Sequence, residues 1–161
     1  TDRGESWVNL TTAIKQHITA VMVSGEDASV LLAGTRAAGS RLAGIWRSSD
    51  AGRSWEIVQG GISQYVTAFA QLPADEAVIY SSTMDHNSHD NSKGSGVFRS
   101  TDTGRSWGRV DEGLPVFRGY RISASKLHPT KVFFASAGSG VYVTEYEGQQ
   151  IAPGNRSKAL D

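Results

Sequence analysis

The stretch Ser48-Ser49-Asp50-Ala51-Gly52-Arg53-Ser54-Trp55 recurs as Ser100-Thr101-Asp102-Thr103-Gly104-Arg105-Ser106-Trp107, and its trailing part recurs at the start of the chain as Thr1-Asp2-Arg3-Gly4-Glu5-Ser6-Trp7. Asp2, Asp50 and Asp102 stand 48 and 52 residues apart, the length of one small antiparallel sheet of about four strands. The later copies follow matching strand sequences, Gly44-Ile45-Trp46-Arg47-Ser48 and Gly96-Val97-Phe98-Arg99-Ser100, and Gly140-Val141-Tyr142-Val143-Thr144 fits the same template. Each copy reads as a hairpin turn. The short Asp side chain accepts hydrogen bonds from its own turn, Gly takes the positive φ of the reversal, and the Ser hydroxyl adds a local bond. The Trp then leaves the turn as a wedge between neighbouring sheets, burying on the order of 200 Å². Turn chemistry accounts for Asp2, Asp50 and Asp102 together with Gly4, Gly52 and Gly104, so they are read as structural and not as catalytic carboxylates or calcium ligands.

Working outward from the turns, short apolar runs alternate with turn signals. An outer strand is expected over Ser6 to Thr11. Four strands follow near Ile18 to Ser24, Val30 to Thr35, Gly44 to Ser49 and Trp55 to Gln59, and four more near Val66 to Leu72, Ala77 to Thr83, Gly96 to Thr101 and Trp107 to Asp111. A last set covers Arg121 to Leu127, Lys131 to Ser136 and Gly140 to Tyr146. It lacks a turn motif, because Tyr146 stands where Asp102 does one repeat earlier and Ile151 where Trp107 does. The strand this set lacks is of the type found at Ser6 to Thr11. Ile151 to Asp161, with Pro153 and Gly154, reads as a tail, which divides the chain into 1–148 and 149–161.

Composition agrees. Eighteen glycines against four prolines suit an all-β chain with many tight turns. Sixteen basic and sixteen acidic residues cancel, which removes the footprint of a nucleic-acid or membrane-surface binder. No apolar run approaches the roughly 18 residues of a membrane span, and no signal peptide is read. Cysteine is absent, which excludes disulfides and thiolate chemistry.

The Ser-x-Asp-x-Gly-x-x-Trp motif resembles the Asp box, or BNR repeat, of sialidases, xyloglucanases, sortilin-type receptors and photosystem II assembly propellers. The resemblance implies an all-β propeller of four-stranded antiparallel blades, of which about three are present. Three blades do not close a ring, for which about four to eight are usual. The chain is therefore expected to be either part of a larger propeller or half of an oligomeric ring completed by a second copy. The triplets Asn9-Leu10-Thr11 and Asn155-Arg156-Ser157 fit the glycosylation pattern, and a secreted or periplasmic location is expected.

The same resemblance places ligands on the rim opposite the Asp boxes, at the connections between blades and the loops between second and third strands. Tyr65, Gln64 and His17 fall at equivalent connections, and Phe117-Arg118-Gly119-Tyr120 sets aromatic rings beside a guanidinium suited to a sugar ring or a carboxylate. The loop from Met84 to Ser95 holds Asp85, His86, His89 and Asp90. His86, His89 and Asp90 are metal-ligand types, but no glycine marks the sharp turn of a calcium loop, so a solvated or partner-contacting loop is read and no metal or cofactor is expected. The ligand-binding candidates are Tyr65, Gln64, His17, Asp85, His86, His89, Arg118 and Tyr120. Sialidase chemistry would need an arginine trio, a Tyr-Glu pair and an Asp acid, and Phe117-Arg118 matches that enzyme signature too briefly to transfer a role. Xyloglucanase-like chemistry uses paired Asp residues, for which Asp85, Asp90 and Asp111 are candidates by exhaustion. The expected function is a non-catalytic scaffold for a carbohydrate or protein ligand, the alternative being part of a secreted glycoside hydrolase.

Overall fold

A computed structural model of the chain describes residues 4–36, 43–58, 65–84 and 96–148. Among them eleven strands form three antiparallel sheets, and there is no helix. The first sheet holds β1 (His17–Val23), β2 (Leu31–Arg36), β3 (Ile45–Ser48) and β4 (Glu56–Ile57). The second holds β5 (Tyr65–Leu72), β6 (Asp75–Met84), β7 (Gly96–Ser100) and β8 (Gly108–Arg109). The third holds β9 (Gly119–Ala124), β10 (Lys131–Ser136) and β11 (Gly140–Glu145). Each sheet is a meander in which every strand pairs with the next in sequence.

Side-chain alternation explains the stacking. Successive residues of a strand point to opposite faces, and in β6 Ile79 enters one core while Val78 and Tyr80 enter the other. The second sheet is thus buried on both sides. Toward the first sheet, Val66, Ile79, Phe98 and Trp107 meet Leu32 and Ile45. Toward the third, Ala68, Leu72, Val78 and Val97 meet Ile122, Val132 and Phe134.

The sheets are also tied along their innermost strands. The pairing of β1 with β2 and of β5 with β6 shifts register at Thr19 and Thr67, and such bulges re-aim the extra residue. Thr19 Oγ1 donates to Val66 O at 2.6 Å, and Thr67 Oγ1 donates to Gly119 O at 2.7 Å. Close approach is required here: a Cβ on Gly34 would run into the Val66 side chain.

The hairpins between β3 and β4 and between β7 and β8 are near-duplicates. Ser48 Oγ donates to Asp50 Oδ1 at 2.8 Å and accepts from Gly52 N at 2.8 Å, while Ser54 reaches Asp50 through its N–H at 2.8 Å and its hydroxyl at 2.6 Å. Around Asp102 the same four bonds measure 2.7, 2.8, 2.8 and 2.6 Å. Gly52 and Gly104 take φ of 85° and 80° as expected, and the residues before them, Ala51 and Thr103, are also left-handed at 58° and 55°. Donors aimed at the carboxylate lower its pKa. The Ser54 hydroxyl, then its backbone N–H and the Ser48 hydroxyl bring Asp50 from 3.8 to about 2. For Asp102, desolvation opposes ionisation, yet the bonds from Ser106 and Ser100 hold its pKa below the ordinary value.

Three expectations change. Residues Ser6 to Thr11 form no strand, and Trp7 is 91% exposed where a wedge was expected. The reason is topological: the first sheet ends the stack on that side, so among the described residues no sheet lies beyond Trp7 to receive it. The segment lies instead against the first sheet's own hairpin, with Leu10 O accepting from Trp55 Nε1 at 2.8 Å. It therefore does not complete the third sheet, which lies on the far side of the second. Finally, the outer strands are shorter than expected, two residues each in β4 and β8, followed by one further bond to the neighbouring strand, from Val58 N to Ile45 O and from Val110 N to Val97 O. Trp107, in contrast, is 8% exposed and packs 6.1 Å from the Phe69 ring, as a wedge should.

Candidate functional site

The stack has two rims with different chemistry. On the rim of the hairpins, Ala51 N donates to Ser29 O at 2.8 Å and Thr103 N to Ala77 O at 3.0 Å, so the first hairpin is fastened to the turn before β2 and the second to the start of β6, each within its own sheet. Arg47, 4% exposed, reaches across to the next sheet and donates from Nε to Thr103 O at 3.1 Å. The equivalent Arg99 meets Tyr146 in place of a hairpin, its guanidinium 5.5 Å from the ring centre. A cavity of about 420 Å³ opens on this rim, lined by Glu26, Asp27, Arg47, Thr103 and Arg105. The Asp27 carboxyl there is held below its ordinary pKa, first by the Ser29 hydroxyl and then by the Ser29 N–H. His128 lies in the β9–β10 turn on the same rim, exposed.

The opposite rim carries the starts of β1, β5 and β9. Antiparallel pairing sets His17 across from Arg36, Tyr65 across from Met84 and Gly119 across from Ser136. His17 is exposed, Tyr65 half-buried, Arg118 half-buried and Tyr120 59% exposed. The structure brings these four candidates to one rim. Gln64, Asp85, His86, His89 and Asp90 lie outside the described residues.

Each second-to-third strand loop is closed at its base by a hydroxyl. Thr35 Oγ1 donates to Gly44 O and accepts from Gly44 N, both at 3.0 Å, and Thr83 does the same with Gly96 at 3.2 and 2.9 Å. Ser136 Oγ donates to Gly140 O at 3.1 Å in the third sheet. Such clamps let the loops between them vary without disturbing the strands. The hydroxyls stand at matching places at the ends of β2, β6 and β10, so the repeat spacing is the signal that locates them in the sequence.

Asp111, the described candidate for an acid, is committed. It is 6% exposed, and Arg109 Nε donates to both its oxygens at 2.7 and 2.8 Å. The same guanidinium lies 4.9 Å from the Phe117 ring centre, so Phe117 packs on Arg109 while Arg121 is exposed. Only a glycine at 96 leaves room for the Asp111 carboxylate, because a Cβ there would collide with it. Among the described residues no group of three or more His, Cys, Asp or Glu side chains is placed to hold a metal.

Meandering sheets stacked face to face, with their first strands side by side and their hairpins on one rim, define a section of a β-propeller. Solved structures agree. YCF48 from Cyanidioschyzon merolae matches with a TM-score of 0.56 at 16% identity over 81% of this chain. An ancestral GH74 enzyme matches with 0.59 at 20% over 80%, and the GH74 xyloglucanase from Xanthomonas campestris with 0.57 at 19% over 80%. The chain spans 34%, 17% and 22% of the lengths of these three proteins. No family model matches the sequence, and no curated protein sequence matches it. At these identities the likeness defines the fold.

Proposed function

We propose that the chain is a non-catalytic recognition scaffold of the Asp-box propeller type, binding a carbohydrate or protein ligand on the rim opposite its hairpins. The observation that carries this reading is the division of side chains on that rim. Its described carboxylate candidate, Asp111, is buried and held by Arg109, whereas Tyr120 and His17 are exposed at the starts of innermost strands. Exposed aromatic and imidazole rings suit stacking and hydrogen bonding to a polar ligand. A carboxylate already bonded through both oxygens is a poor proton donor or nucleophile.

The second reading, part of a glycoside hydrolase, is favoured by the two GH74 likenesses. A panel of sialosides and β-glucans including xyloglucan separates the two. Calorimetric binding without release of reducing sugar, weakened about tenfold or more by Tyr120→Ala or Tyr65→Ala, is the expected result. Hydrolysis that Asp85→Asn abolishes would replace the scaffold reading with the enzyme.

A further inference from the structure

A cavity of about 240 Å³ lies between the second and third sheets, lined by Val97, Val110, Ile122, Val132, Phe134 and Tyr142 among others. Its lining repeats the surroundings of Trp107 one sheet earlier. The pair Val132 and Thr144 in the third sheet corresponds to Ile79 and Ser100 in the second, so Val132 and Tyr142 stand where Ile79 and Phe98 do. On the facing sheet, Val110 N donates to Val97 O as Val58 N does to Ile45 O, which sets Val97 and Val110 in the places of Ile45 and Val58. Ile79, Phe98, Ile45 and Val58 all belong to the cluster that packs Trp107. The cavity therefore has the walls of an indole site.

The strand that would carry such an indole belongs on β11. In the second sheet, β8 sets Gly108 opposite Arg99 and Arg109 opposite Phe98. A strand added to β11 in that register, starting from a turn motif, sets its first residue after the Trp opposite Val143. Among the described residues nothing pairs with the outer edge of β11. One indole in the chain is formed for this position and unburied: Trp7 Nε1 bonds Gly4 O at 3.1 Å, as Trp107 does Gly104 O at 3.2 Å, yet Trp7 is 91% and Val8 80% exposed.

We propose that residues 6–11 of a second copy of this chain pair with β11 and set their Trp7 into this cavity, reciprocally, so that two copies form one closed, two-fold symmetric ring. The chain's own segment stays at the far end of the stack, where Leu10 is bonded to Trp55. The same association covers two apolar sheet faces at once. Val21 and Val23 on the first sheet are 71% and 55% exposed, and Val141 and Val143 on the third are 71% and 59% exposed. A formal net charge of +0 offers no repulsion between copies. Strand addition satisfies an open edge, and reciprocal exchange closes the assembly. This assembly does not depend on the identity of the ligand.

Sedimentation of the 161-residue chain tests it, with twice the 17.2 kDa chain mass expected. Trp7→Ala is expected to raise the dissociation constant on the order of a hundredfold with an unchanged far-UV spectrum. Because the chain has no cysteine, Val8→Cys and Val143→Cys give a clean register test: an equimolar mixture of the two single variants is expected to oxidise to a mixed disulfide, both positions being exposed in the single chain. A single-chain mass at every concentration overturns the proposal, as does a dimer that forms no mixed disulfide. So does a Val8→Cys/Val143→Cys double variant that cross-links within one chain. A single-chain mass is also the outcome if the chain's own Ile151 occupies the cavity.

Discussion

Trp107→Ala tests whether the hairpin tryptophan is the wedge that joins two sheets. The ring is 8% exposed, packed among Leu32, Ile79 and Phe98, with the Phe69 ring 6.1 Å away at an interplanar angle of 44°. Removing about 200 Å² of buried ring at about 25 cal/mol per Å² forfeits up to about 5 kcal/mol. The indole bond to Gly104 O adds about 1 kcal/mol. Partial collapse of the site offsets some of this, and about 3 to 5 kcal/mol is expected, the range for large aromatic truncations. A domain's whole stability is about 5 to 15 kcal/mol, so Trp107→Phe is measured alongside as a milder variant, with a loss of about 1 to 2 kcal/mol. Urea unfolding followed by far-UV circular dichroism reports both, and the slope against urea should be unchanged. A loss below about 1 kcal/mol for the alanine variant would show that the sheets do not rely on this ring, and the wedge argument would fail.

Other perturbations address the remaining joints. Asp50 has a folded pKa depressed from 3.8 to about 2, so its contribution is fully present above pH 3.8 and is lost as pH falls through about 2; urea midpoints from pH 5 to pH 2 should fall less steeply for Asp50→Asn than for the parent. Thr67→Val breaks the bonds from Oγ1 to Gly119 O and Ser82 O and is expected to cost about 1 to 2 kcal/mol by urea unfolding, most of it restored by Thr67→Ser. Asp111→Ala removes the carboxylate that Arg109 Nε bonds through both oxygens; since Arg109 is one-third exposed, about 1 to 2 kcal/mol is expected by the same measurement, and no loss would mean the pair is idle.

The hairpin motif made the architecture readable because it is local: its partners lie within four residues of Asp50, so spacing alone reveals them. The same locality explains what was not readable. Whether a Trp after the motif is buried depends on a neighbouring sheet, and nothing in Gly4-Glu5-Ser6-Trp7 distinguishes the exposed Trp7 from the buried Trp107. The left-handed Ala51 and Thr103 were hidden because neither residue type favours that conformation. On the opposite rim, His17, Tyr65, Arg118 and Tyr120 could be grouped from their equivalent places in the repeat. Asp111 could not be excluded as an acid from sequence, since its commitment depends on Arg109 folding back and on a glycine at position 96.

The two rims divide rigidity from variability for a physical reason. On the hairpin rim the Asp50 and Asp102 carboxylates each gather a backbone N–H and two hydroxyls, and Arg47 carries the bonding from one sheet to the next. Changing a residue there breaks several bonds together. On the other rim each sheet is closed by one hydroxyl clamp, Thr35, Thr83 or Ser136, below its loop. The clamp itself fixes the ends of the second and third strands, so their pairing makes no demand on the sequence that joins them. A recognition surface needs that release, because the side chains that contact a ligand must be free to differ while the strand ends that carry them stay fixed. A residue exchanged above Thr83 should accordingly alter binding with little effect on unfolding, and one exchanged at Ser100, whose hydroxyl bonds both Asp102 and Gly104, should do the reverse.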